Sequence, residues 1–463
     1  MKDIQWKRGN RPYDGLYDPM TDQTLAGGSD YCPTYWIGTA GPAPEDDGPV
    51  KGDFDVECAV IGSGYTGLNA AIALTRDLGV ETVVLEANGT AYGCSTRNGG
   101  QAQFSAGRLK RSQWIDRWGL DTARRLHGEM LEAFDYWRGQ IRDHAIDCDY
   151  QDGGHYYLAH KARIVPDLEK EAALLRDKFG YGARMMTRAE VHEQVVRDME
   201  AQGAMYEPDG VGVHAAKLAF GYCRVAREHG ARVHVDSPVE GWDYRNGVHH
   251  LRTPGGTVRA KKVAVATAGY APRSLHARLR DRLLPVMSNS IVTRVLTDAE
   301  LAEVGAKALS PLTDTRTLRH YYRLLPDNRL QIGSRAAITG RDAANPKHLA
   351  SLREGMARKF PALRGIDLDY SWWGWVDVSH DMMPRITGIP DLPGAYYALG
   401  YGGNGVMYSA MAGRRMAQLV AGQKVPDLPI FGSELKHEGW KTPFRRLGQW
   451  GLYQLYHYRD ERK

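Results

Sequence analysis

The chain is poor in the features that most readily announce a function. Its 463 residues include only five cysteines, Cys32, Cys58, Cys94, Cys148 and Cys223, scattered with no CxxC spacing. That excludes a disulfide framework and a cysteine zinc site, and it suits a reducing compartment. There is no catalytic triad, no zinc cluster and no Walker loop, so no metal is expected. The first fifty residues hold no apolar run long enough for a signal or a membrane span, and a cytoplasmic location is expected. The formal net charge of +5 is spread along the sequence, which predicts no nucleic-acid partner. What remains is a globular composition, 43% hydrophobic and 25% charged, in a chain long enough for two domains.

The stretch from Asp55 to Glu86 carries far more information. Val56-Glu57-Cys58-Ala59-Val60-Ile61 reads as a buried parallel strand. Gly62-Ser63-Gly64-Tyr65-Thr66-Gly67 turns it into a helix with Leu68, Ile72 and Leu74 among its apolar positions. Thr82-Val83-Val84-Leu85 is a second strand, closed by Glu86. These are the parts of a dinucleotide-binding βαβ unit. Gly62 permits the tight turn, Gly64 lets backbone approach a pyrophosphate, and Gly67 lets helix and strand pack closely. Phosphate charge then rests on N–H groups at the helix start. The Glu86 carboxylate is placed to accept from ribose hydroxyls and would repel a 2′-phosphate. The motif alone does not separate FAD from NAD.

Two further glycine segments bear on that choice. The first is Gly93-Cys94-Ser95-Thr96-Arg97-Asn98-Gly99-Gly100-Gln101, where small and hydroxyl residues precede paired glycines. Such a backbone passes close to a flat ligand while offering N–H donors. The second is Gly400-Tyr401-Gly402-Gly403-Asn404-Gly405-Val406, between the apolar run Ala395 to Leu399 and a helical stretch reaching Val420. Its helix start supplies positive partial charge, and a reduced flavin carries its negative charge on the pyrimidine side of its ring. Tyr401, Asn404 and Gln101 are therefore expected beside a flavin.

Taken together, these segments resemble the FAD-dependent amine and amino acid oxidoreductases of the D-amino acid oxidase and sarcosine oxidase type. The resemblance runs from about Tyr35 to Ile430. It is carried by Tyr35-Trp36, AVIGSGYTGLNAA around Gly62, STRNGGQ around Asn98, DGGHYYLA around Gly154, TLRHYYRL around Tyr321, WWGWVDVSHDMMP around Trp375 and GYGGNGV around Gly403. It implies FAD as cofactor, a small amine substrate, oxygen or another electron acceptor, and Val239 at the adenine. One departure is Asn404, where members of the family usually carry histidine. Asparagine donates a neutral hydrogen bond but carries no proton.

The expected fold is α/β, α+β overall. A Rossmann-like FAD-binding domain (54–110, 188–285 and 376–431) is interleaved with a substrate domain of mostly antiparallel sheet and helices (111–187 and 286–375). Residues 1–53 are expected as an irregular surface arm anchored by Tyr35, Trp36 and Ile37. Residues 432–463 are expected as a helical tail whose aromatics, Trp440, Phe444, Trp450 and Tyr458 among them, pack on the protein or on a second copy of the chain rather than on a membrane. Trp114, Trp118, Leu126, Met130 and Trp137 recur at helical spacing and read as core.

Flavin oxidation of an amine asks the protein to place the carbon bearing nitrogen over the ring and to favour the neutral amine. An aromatic wall excludes water and disfavours ammonium. Trp375 is the candidate wall, with Trp373 on its face of the strand and Trp372 and Val376 on the other. Tyr321 and Arg323 form a second candidate face, with Arg323 available to a substrate carboxylate. Two alternatives stand beside the flavoenzyme: a nicotinamide-dependent dehydrogenase and a flavin-binding subunit without activity.

Overall fold

The computed structural model describes residue 7 and residues 11–461. The remaining ends of the arm and tail, and the Trp440 side chain, lie outside the described residues.

The first sheet is built around the expected strand, Phe54–Ile61. It pairs in parallel with Thr82–Leu85 on one side and Gly256–Val265 on the other, with Val60 opposite both Val84 and Ala264. Arg232–His234 extends it beyond Thr82–Leu85, and Ala395–Leu399 joins Gly256–Val265. Runs of Val, Ala and Ile without alternation suit strands covered on both faces. The helix Tyr65–Ile72 is buried along its whole length and packs against Ala215–Glu228 and Tyr408–Val420. Gly413 makes the last contact possible, since a Cβ there would lie 2.5 Å from the Thr66 carbonyl.

The second sheet has eight strands and is antiparallel except where Leu312–Asp314 runs parallel to His155–Leu158. Leu284–Thr293 and Leu368–Val378 form its long edge pair. Its far end corrects the expected boundaries: Gly203–Glu207, inside the span assigned to the cofactor domain, pairs with His155–Leu158 and Arg184–Thr187 of this sheet. The apolar pattern of Gly203-Ala204-Met205 does not by itself say which sheet buries it. A small third sheet, Gln101–Gln103 with Gly210–Gly212 and Gln151–Asp152, joins the two halves. The long helix Arg111–Asp143 bends at Gly119 (φ +77°) and buries Trp114, Leu126, Met130 and Trp137.

The arm does more than lie on the surface. Trp36 donates its indole N–H to the Asn98 carbonyl (2.7 Å), and Tyr31 donates to the Thr90 carbonyl (2.8 Å). The tail is helical over Arg445–Glu461 and docks by one face. Asp460 accepts from the N–H groups of Thr317 and Leu318 (3.1 Å each), and Arg446 pairs with Asp18 (2.7 Å). Leu447, Trp450 and Tyr458 on its outer face stay exposed. No described helix is long and apolar enough to cross a membrane.

Candidate active site

A cavity of about 520 Å³ runs along the carboxyl ends of the first sheet. The glycine loop, Glu86, Val239 and the Gly403–Val406 turn line it. Its three loop glycines answer to different demands. Gly62 sits at φ +101°, where a Cβ would lie 2.8 Å from the Ala266 carbonyl, and a Cβ on Gly67 would lie 1.9 Å from the Gly62 carbonyl. Both are required by the fold itself. A Cβ on Gly64 would meet only Ser95 Oγ, at 3.1 Å, and would otherwise occupy the cavity. The fold thus leaves the space at Gly64 open to the cavity, and Gly64 starts a helix that has no side-chain cap of its own.

Glu86 closes one end. The Ser63 N–H and hydroxyl donate to one carboxylate oxygen (2.9 and 2.7 Å) and the Asn88 N–H to the other (3.1 Å). Burial nonetheless holds its pKa above the usual range. Ser63 therefore acts through Glu86. The other end is the Gly400–Val406 turn, with Gly400, Gly402 and Gly403 at φ +94°, +64° and +96°. Tyr401 ties this turn to the glycine loop through its hydroxyl and Thr66 Oγ1 (2.8 Å). Asn404 donates its amide to the Gly107 carbonyl (2.6 Å). Asp377 fixes the turn from below, accepting from the Gly400 N–H (2.6 Å), and burial lifts its pKa to about 6. Sequence reasoning passed over Asp377, although it closes the WGWVD segment.

Between the two ends runs the Gly93–Gln101 segment. Ser95 Oγ accepts from the Tyr65 N–H (2.9 Å), and Asn98 Oδ1 accepts from the Gly100 N–H (2.7 Å). Thr96 turns inward to the Ala91 carbonyl. Gly99 lies under the Tyr321 ring, and Gly100 lies so close to the Val213 carbonyl that a Cβ would clash at 2.2 Å. Arg97 points away from the cavity, into a box of Tyr13, Tyr92 and Tyr270 rings at 5.0, 4.6 and 5.0 Å. Cys94 donates its thiol to the Trp375 carbonyl (2.8 Å), and burial pushes its pKa up to about 12, so it is a neutral thiol.

A smaller chamber of about 100 Å³ adjoins the large cavity and shares Cys94, Asn98, Val376, Gly403 and Val406 with it. Asn404, Gln101 and Tyr321 come together on its wall. The Tyr321 hydroxyl is held by Ser288 and Ser290 (3.0 and 2.9 Å). Trp375 borders the chamber, but its indole N–H donates to the Tyr17 carbonyl of the arm (3.0 Å) and Arg446 sits over its ring. Trp373 shares that face, as alternation required, and both line a third cavity behind the arm. Arg323 differs from expectation. Its guanidinium is buried, donating to Gln151 Oε1 and the Val213 carbonyl (2.6 Å each), and lines none of these cavities. It braces the small third sheet. Four arginines line the chamber: Arg97, whose guanidinium is turned into the tyrosine box, and Arg108, Arg319 and Arg335. The last three are the cations free to meet a ligand. They stand in three separate segments and carry no local signal.

His155 bonds Thr313 (3.0 Å), and His320 belongs to a buried charge network in which Lys359 Nζ lies 3.1–3.2 Å from Asp198, Glu200 and Asp314. Glu200, Asp314 and His320 converge as metal ligands do, but the ammonium already supplies their positive charge.

A cavity at the carboxyl ends of a parallel sheet, lined by the glycine loop, a buried acid and a second glycine turn before a helix, is the arrangement of a dinucleotide-binding fold. The model of the FAD dependent oxidoreductase family matches residues 57–419, and the chain belongs to that family. Its cofactor is FAD, which sets the nicotinamide alternative aside. The chain is 31% identical over 408 residues to gamma-glutamylputrescine oxidoreductase of Escherichia coli K12, covering 85% of this chain and 91% of that protein. It is 30% identical to the probable oxidoreductase OrdL of Haemophilus influenzae, over 84% and 86% of the two chains. In fold it is similar to glycine oxidase of Geobacillus kaustophilus (TM-score 0.67, 20% identity, 80% of this chain and 96% of that one).

Proposed function

We propose that this flavoenzyme oxidises the C–N bond of a small amine or amino acid derivative to an imine, which water then hydrolyses. Bound FAD would supply the two-electron acceptor for hydride from the carbon bearing nitrogen. The observation that carries the reading is the shared wall. The nucleotide cavity and the chamber meet at Cys94, Asn98, Val376 and Gly403, so a substrate in the chamber lies against whatever fills the end of the cavity.

The chain's own residues do the rest. Gly64, Glu86 and Val239 hold the dinucleotide. Tyr401 and Asn404 shape the turn at the reacting end. Among the described residues lining the chamber there is no aspartate or glutamate. No carboxylate there pairs with an ammonium, while three guanidinium groups oppose it, so the balance of charge favours the free base that oxidation requires. Gamma-glutamylputrescine, named for the bacterial relative, would bring a single carboxylate to these guanidinium groups together with a cationic arm, and so matches the chamber only in part.

Anaerobic absorbance of the purified protein tests the proposal. The protein should be yellow, and its flavin band should bleach with at least one member of a panel of polyamine conjugates, N-methyl amino acids and cyclic amino acids. A yellow protein that no amine bleaches would favour the flavin-binding subunit instead.

A further inference from the structure

Beside Arg97, which the tyrosine rings enclose, three arginines line the chamber with no partner of opposite charge among the described residues. Arg335 Nη2 donates to the Gly402 carbonyl (2.9 Å), the Arg108 stem lies along Gly402, and Arg319 stands over the Tyr157 ring at 5.4 Å. Among the described residues none of the three forms an ion pair, whereas the nearby Arg316 is paired with Asp314 and Glu200 (2.6 and 2.7 Å). Burial, and then the neighbouring guanidinium groups, hold the pKa values of Arg108 and Arg335 below the usual range. Clustered half-buried cations of this kind are costly unless an anion joins them.

Each guanidinium offers five donors in a planar fork that matches a carboxylate, and the protein uses few of them here. One carboxylate would leave two charges uncompensated. A cationic polyamine arm would leave three and add a fourth. We infer that the substrate is an amine carrying two carboxylates, which Arg108, Arg319 and Arg335 grip together. This rests on the proposed amine oxidation and names its substrate class. A phosphate ester would also bring two negative charges, but on one centre. Arg108 and Arg335 also line the groove beneath the tail helix, whereas Arg319 lines only the chamber, so the three spread along a path that suits two separated carboxylates.

The test uses FAD-loaded protein and non-oxidisable probes, read by the shift of the flavin absorbance band. Succinate and glutarate are titrated against their length-matched monocarboxylates, butyrate and pentanoate, and against inorganic phosphate. At least one dicarboxylate should bind about tenfold or more tightly than its monocarboxylate, one charge-assisted bond being worth that factor. Arg319→Gln and Arg108→Gln should each collapse the ratio toward one with FAD content unchanged, and Arg319→Lys should restore part of it. Equal binding of mono- and dicarboxylates by the yellow wild-type protein would overturn the inference. So would tighter binding of phosphate than of any dicarboxylate, or a ratio that survives in Arg108→Gln, Arg319→Gln and Arg335→Gln alike. Failure of every amine to bleach the flavin would sink the amine-oxidation proposal, a result the binding ratio does not share.

Discussion

The nucleotide cradle and the chamber beside it are built on opposite principles. The cradle is mostly backbone: three glycines, a helix start and one acid whose oxygens are already held by Ser63 and Asn88. The chamber is mostly side chain, and its charges are left unanswered. A pre-satisfied site fixes a ligand common to many reactions. An unsatisfied one waits for a particular partner and selects it by the charge it lacks.

Substitutions should therefore fail in different ways in the two regions. The largest effect is expected at Gly67, where even a methyl group meets the Gly62 carbonyl at 1.9 Å. Gly67→Ala should cost ~3 kcal/mol or more of stability, read as a lowered melting temperature of the FAD-free protein. Gly64→Val should leave that melting temperature nearly unchanged yet weaken FAD binding by roughly 100-fold or more, because its side chain fills ligand space. If both variants lost FAD and stability together, the division between fold-required and ligand-required glycines would be wrong.

Asp377 gives an effect of intermediate size at the junction of the regions. Its folded pKa is about 6, against an ordinary 3.8, so between those values the folded state binds more protons than the unfolded one. The contribution of Asp377 to stability should be fully present below about pH 4, be lost as pH rises to about 6, and level off above, a change of up to ~3 kcal/mol. Urea unfolding of the FAD-free protein across this range checks it, and Asp377→Asn should flatten the fall. Glu86→Gln should be milder, weakening FAD by about 1–2 kcal/mol through loss of charge-assisted hydrogen bonds. Unchanged affinity on calorimetry would place the ribose contact elsewhere.

The same contrast explains what the sequence reveals. The cradle lies in one contiguous stretch, so Gly62, Gly64, Gly67 and Glu86 are legible by spacing alone, and the strands Thr82–Leu85 and Ala395–Leu399 fall where the apolar runs put them. The chamber is assembled from residues near 100, 288, 319, 335, 375 and 404, which only the folded chain brings together. Arg323 looked like its cation because it follows two tyrosines in a strand. It lies on the same strand face as Tyr321 but two residues further on, against Gly100 and Gly212 rather than Gly99, where Gln151 and the Val213 carbonyl hold it. Arg319, four residues earlier, takes the chamber position. The strand boundaries at Gly203–Glu207 were illegible for a similar reason, since partner choice in a sheet is a tertiary fact.

The most direct test of the central claim, that an acid-free and cation-lined chamber presents a neutral amine to the flavin, is the pH dependence of anaerobic flavin bleaching by any amine the protein oxidises. The apparent second-order rate of bleaching should rise about tenfold per pH unit below the substrate's own amine pKa and level off above it, as expected when only the free base binds. A rate that stays flat across that range would show that the ammonium binds equally well, and would contradict the account.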